Sequence, residues 1–151
     1  MTFSVYFAQH GLAVDKAEDA KRPLSRAGIE QSKTIARAMQ NSKIPITRVF
    51  HSGKLRASQT AEIFQQILNI SSIAAIDGLS PNDEVTLLAQ NLNINHALYI
   101  GHLPHLEKLA AYLVTGNENS NIIKFQNSAV LCLEKSENNY QLRWYLTPEL
   151  L

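Results

Sequence analysis

Apolar positions along this chain alternate between short strand-like runs and stripes at helical spacing. Phe3 to Ala8, rich in aromatic and β-branched residues, predicts a first strand. Ser25 is placed to cap a helix reaching about Gln40, with Ile29, Ile35, Ala36 and Met39 on one side. Ile46 to Phe50 reads as a second strand and Lys54 to Leu68 as a second helix, with Ala57, Ala61, Phe64 and Leu68 aligned. Ile73 to Ile76 is a short apolar run. Asn82 to Asn91 predicts a third helix through Val85, Leu88, Ala89 and Leu92. Ala97 to Ile100 is strand-like, and Leu103 to Val114 is helical, with Gly116 just past its end. Ala129 to Glu134 and Gln141 to Leu146 close the chain as a hairpin.

Strand and helix alternate four times before that hairpin. The pattern predicts an α/β fold, a three-layer α/β/α sandwich with a mostly parallel sheet and a C-terminal hairpin. At 151 residues, one domain spanning 1–151 is expected. Hydrophobic residues make up 45 % and charged residues 18 %, enough apolar content for a core and against disorder. The single cysteine, Cys132, excludes an internal disulfide framework and a Cys-based zinc cluster. No apolar run approaches the ~20 residues of a membrane span, and the N-terminus reads as a strand rather than a signal peptide. No membrane association and a cytoplasmic location are expected. The formal net charge is +1, so no global field attracts nucleic acid, and no nucleic-acid motif is present.

In such sheets ligands bind beyond the carboxyl ends of the strands. Gln9-His10-Gly11 follows the first strand, His51-Ser52-Gly53-Lys54-Leu55-Arg56 the second, and Gly101-His102-Leu103-Pro104-His105 the fourth. Lys21-Arg22-Pro23 precedes the first helix. Histidines and arginines thus gather at the strand ends of a nearly neutral chain, which suits a small anion such as phosphate or sulfate. Gly11 permits close approach of backbone to a ligand, and His102 falls at the start of a helix, where N–H groups favour an anion. His51 reads as structural, His105 lacks partners at metal-ligand spacing, and no metal or cofactor is expected.

These residues carry a resemblance. Gln9-His10-Gly11, Arg22-Pro23-Leu24-Ser25-Arg26-Ala27-Gly28, Ser52-Gly53-Lys54-Leu55-Arg56-Ala57-Ser58-Gln59-Thr60 and Gly101-His102-Leu103-Pro104 occur in order. The chain resembles the histidine phosphatase superfamily, the phosphoglycerate-mutase-like fold, and within it the small bacterial phosphohistidine phosphatases of the SixA type. The resemblance covers nearly the whole length. It implies that His10 is the nucleophile and forms a phosphohistidine that water hydrolyses. It implies that Arg56 and Arg22 hold phosphoryl oxygens, that His102 donates to the transferring group, and that Gln9 and Gly11 line the phosphate site. The implied partner is a histidine-phosphorylated carrier or phosphotransfer protein, or a small phosphorylated substrate.

Two departures bear on this reading. The arginine that opens the family's first motif is Gln9 here, which keeps hydrogen-bond donors but loses a charge. The carboxylic acid of larger relatives has only Asp77, Asp83 and Glu84 as candidates, with Gly78 where short relatives often carry a glutamate. Lacking a general acid, the site matches phosphohistidine better than an alkyl phosphate, because phosphorylated imidazole leaves more readily than an alkoxide. Two alternatives stay open: a phosphate- or phosphohistidine-binding regulator without turnover, and a small-phosphoester phosphatase or mutase. Lys54, Lys21 and Arg26 are the cations that could compensate for Gln9.

Overall fold

The computed structural model describes residues 2–151. Strands β1 (Phe3–Gln9), β2 (Arg48–His51), β3 (Ile73–Ala75), β4 (Ala97–Gly101), β5 (Val130–Ser136) and β6 (Asn139–Leu146) form one sheet. Their order is β3-β2-β4-β1-β5-β6. β1, β2, β3 and β4 pair in parallel, whereas β5 pairs antiparallel with both β1 and β6. Helices α1 (Arg26–Asn41), α2 (Leu55–Leu68), α3 (Val85–Ala89) and α4 (His105–Thr115) supply the connections, and a 3₁₀ turn, Pro148–Leu150, ends the chain.

Side chains alternate across a strand, so each strand feeds two cores. Tyr6 and Ala8 of β1 and Leu98 and Ile100 of β4 pack with Ile35 and Met39 of α1 and Ala57 and Phe64 of α2. Val5, Phe7 and Tyr99 face the other way, against Val85 and Leu88 of α3 and Leu106 and Leu109 of α4. The result is the expected three-layer sandwich. Every residue of β4 is buried, as a strand covered on both faces should be.

The third and fourth helices start later than the sequence expectation. The third helix begins at Val85 rather than Asn82 and ends at Ala89. Asp83 instead folds back, its carboxylate accepting the Ser80 N–H at 2.9 Å and its own N–H meeting the Ser80 carbonyl at 3.1 Å. A short acidic side chain competing for backbone donors beside Pro81 favours that turn over helix. The fourth helix begins at His105 rather than Leu103, because the residue before a proline is disfavoured in helical geometry. Gly116 ends it in the left-handed region, φ 81°.

The register brings the chemistry together. Gln9 pairs with Gly101 and His51 with Ile100, so β1, β2 and β4 end side by side and release His10, Ser52 and His102 at one edge of the sheet.

The start of α1 locks the loop leaving β1. Ser25 caps the helix, accepting the Gly28 N–H at 3.0 Å, and donates its hydroxyl to the Leu12 carbonyl at 2.9 Å. Gly28 sits so near that carbonyl that a Cβ would collide with it. Gly28→Ala is therefore expected to destabilise the fold by roughly 1–3 kcal/mol, the usual range for overpacking. Equilibrium urea unfolding measures this, and a change within about 0.5 kcal/mol of zero would contradict the close packing.

Candidate active site

His10 leaves the end of β1 and is 8 % exposed. Its backbone N–H continues the ladder to the Gly101 carbonyl at 3.0 Å, and Asn127 Nδ2 donates to its carbonyl at 3.0 Å. Its Nδ1 lies 2.7 Å from the Gly11 carbonyl. A carbonyl only accepts, so Nδ1 carries the proton and Nε2 keeps a free lone pair. Arg56, in the first turn of α2, points Nε–H at that lone pair from 3.3 Å.

Burial holds the pKa of His10 down at about 4, opposed by the Gly11 carbonyl and assisted by the charges of Arg56 and Arg22. The imidazole is therefore neutral near pH 7. His102, 1 % exposed, stacks obliquely on it with ring centroids 4.9 Å apart. Its pKa is held down to about 3, first by burial and then by His10, Arg56, Lys54 and His105. Its Nε2 meets Ser52 Oγ at 2.6 Å. Arg56 itself is pushed below its ordinary pKa, chiefly by burial and then by Arg22. Two arginines and two neutral histidines thus converge, which is a setting for an oxyanion.

Arg22 reaches this group from the loop before α1. Its backbone is left-handed, φ 50°, and its Nε donates to the Val14 carbonyl at 3.1 Å. Gln59 Oε1 accepts the Leu24 N–H at 2.7 Å, tying that loop to α2. Gln9 closes β1, pairs with Gly101, and is half-buried; its Oε1 has no hydrogen-bond partner among the described residues.

Gly11 differs from expectation. Its N–H donates to Thr60 Oγ1 at 2.9 Å and its carbonyl holds His10, so its backbone groups are occupied within the protein. A Cβ there would press on Ser32 Oγ at 2.8 Å. Glycine is needed here for close packing beneath His10, and its backbone groups are taken up within the protein. His51 accepts the Gly53 N–H on Nδ1 at 3.0 Å, a local turn contact. His105 is buried, with Asp83 the charge acting on it.

The charges that act on His10, His102 and Arg56 include no carboxylate among the described residues. Asp77 lies instead beside Phe50 and Tyr99, Asp83 is engaged with Ser80, and Glu84 is exposed at the start of α3.

Thr60 and Ser52 stand within the motifs and support the site. Thr60 sits one turn after Arg56 on the same face of α2, so one helix aims the guanidinium and fixes the Gly11 amide. Ser52 orients His102. Asn127 had no sequence signal, since it belongs to an irregular polar stretch.

The family model described as "Histidine phosphatase superfamily (branch 1)" matches residues 5–80. The chain is 32 % identical over 153 residues to phosphohistidine phosphatase SixA of Escherichia coli K12, covering 95 % of this chain and 93 % of that protein. The solved structure of protein histidine phosphatase SixA complexed with tungstate superposes with a TM-score of 0.86 at 31 % identity, covering 97 % of this chain and 98 % of that one. A phosphoserine phosphatase mutant of Entamoeba histolytica shares the fold at 14 % identity, with a TM-score of 0.73 and 98 % of each chain covered. With the family model matching half of the chain and the likeness to SixA spanning nearly all of it, this chain belongs to the histidine phosphatase superfamily, branch 1.

Proposed function

We propose that this chain is a phosphohistidine phosphatase acting on a histidine-phosphorylated protein through a covalent intermediate on His10. The observation that carries the substrate class is that, among the described residues, the charges acting on His10, His102 and Arg56 include arginines and a lysine but no carboxylate. The likeness to SixA over nearly the whole chain supports the activity.

The Nε2 lone pair of His10 attacks phosphorus, and the bond from phosphorus to the substrate imidazole breaks. A phosphorylated imidazole protonated on its other nitrogen departs as neutral imidazole, so it needs no proton from the enzyme. An alkoxide would need one, and among the described residues no carboxylate is among the charges acting on His10, His102 or Arg56. Water then attacks the phosphorus on His10, the P–Nε2 bond breaks, and inorganic phosphate leaves with one water proton passing to solvent. Arg56 and Arg22 bind the equatorial phosphoryl oxygens through both steps. His102 donates to the transferring group, exchanging Ser52 for a phosphoryl oxygen. Gln9 offers its amide N–H groups. Gly11 acts only by fixing His10. The partner in this reading is a phosphotransfer or carrier protein, and the compartment is the cytoplasm.

Phosphate release from a histidine-phosphorylated phosphotransfer domain tests the assignment. His10→Ala is expected to abolish turnover, and Arg56→Met to lower kcat about 10²–10³-fold. A phosphoserine peptide is expected to react at least about 100-fold more slowly than phosphohistidine. Turnover by His10→Ala would refute the nucleophile, and equal rates on the two substrates would refute the substrate class.

The protonation state of the nucleophile has its own readout. The His10 imidazole resonance, assigned by its loss in His10→Ala, is expected to stay in the neutral form from pH 8 down to pH 5 and to titrate near pH 4. A midpoint near the ordinary value of about 6.5 would contradict the burial of the ring.

A further inference from the structure

The cleft binds a group of two negative charges in the reading above, and the present inference rests on that reading. Its fixed cations are Arg22 and Arg56, since both histidines are neutral near pH 7 and residue 9 is an amide. Three other basic side chains stand in the motifs around it: Lys21, Arg26 and Lys54. They are not placed alike. Lys21 is exposed in a turn whose N–H rests on Asp19 Oδ1, and Arg26 is exposed at the start of α1. Neither is among the charges that act on His10, His102 or Arg56.

Lys54 is different. It is the N-cap residue of α2, two positions before Arg56. Its backbone N–H donates to Ser52 Oγ at 3.3 Å, the same oxygen that meets His102 Nε2 at 2.6 Å. One hydroxyl therefore ties the backbone of Lys54 to the ring of His102. The Lys54 charge also acts directly on His102. Its side chain is exposed, so its ammonium is free to turn on a flexible four-carbon stem.

We propose that Lys54 is a substrate-binding residue of this cleft, its ammonium supplying from the rim the additional positive charge that Gln9 does not provide. A lysine on the rim is a mobile point charge, whereas an arginine at position 9 would be a fixed fork at the floor. Phosphate binding should accordingly carry a salt-dependent contribution that disappears with the Lys54 charge.

Calorimetric titration of inorganic phosphate into the full chain tests this at pH 7. Lys54→Met is expected to weaken binding about tenfold and to flatten its dependence on sodium chloride. Lys54→Arg, which keeps the charge, is expected to bind within about threefold of the unaltered protein, and Lys21→Met within about twofold. In a Gln9→Arg background, the effect of Lys54→Met should shrink to less than about threefold. Lys54→Met binding like the unaltered protein, Lys21→Met weakening binding as much, or equal losses in both backgrounds would each overturn the assignment. Loss of phosphohistidine hydrolysis with the binding pattern intact would refute the proposed function and leave Lys54 standing. Hydrolysis with no effect at Lys54 would do the reverse.

Discussion

The hydrogen bond between His10 Nδ1 and the Gly11 carbonyl is the constraint on which the rest of the site depends. It decides which nitrogen carries the proton, and so which keeps a free lone pair. The surrounding structure holds that one contact in place. The Gly101 carbonyl and Asn127 fix the His10 backbone, Thr60 takes the Gly11 N–H, and Ser32 and Gly28 leave room for no side chain at position 11. Much of the packing at the start of α1 and α2 serves to keep a single peptide unit in a single orientation.

Burial and charge then act in the same direction on that ring. Removing water disfavours the imidazolium, and the two arginines disfavour it further. In the proposed reaction, the cations that bind the phosphoryl group thus also keep His10 in its neutral form. A carboxylate in the same space would oppose both effects. Among the described residues none acts on His10, His102 or Arg56, and in the proposed reaction that ties the electrostatics of binding to the choice of leaving group.

In the proposed reaction, substrate and intermediate are the same functional group. Phosphorus sits on one nitrogen of an imidazole whose other nitrogen holds a proton. On the enzyme that proton is held by Gly11. Bond breaking in each half-reaction therefore expels a neutral imidazole, and a site without an acid serves both. Gln9 fits this economy, since a better leaving group asks less of the donors around the phosphoryl oxygens than an alkoxide would.

Periodicity along the chain was enough to read the layers of the sandwich, and the residues after the strands marked the candidate site. Hydrophobic periodicity is a local property, so strands such as Ala97–Gly101 and caps such as Ser25 were legible within a residue or two. The motifs named His10, Arg22, Arg56 and His102 because each lies just past a strand or just before a helix. Local competition was less legible: the Asp83 turn shortened a helix whose stripe was otherwise sound. Tertiary structure alone decided what depends on distance between remote residues. It occupied Gly11 with Thr60, brought Asn127 onto His10 across 117 positions, and tied Lys54, unlike Lys21 and Arg26, to His102 through Ser52. Such contacts arise from sheet register and loop closure, which no local pattern of residues encodes.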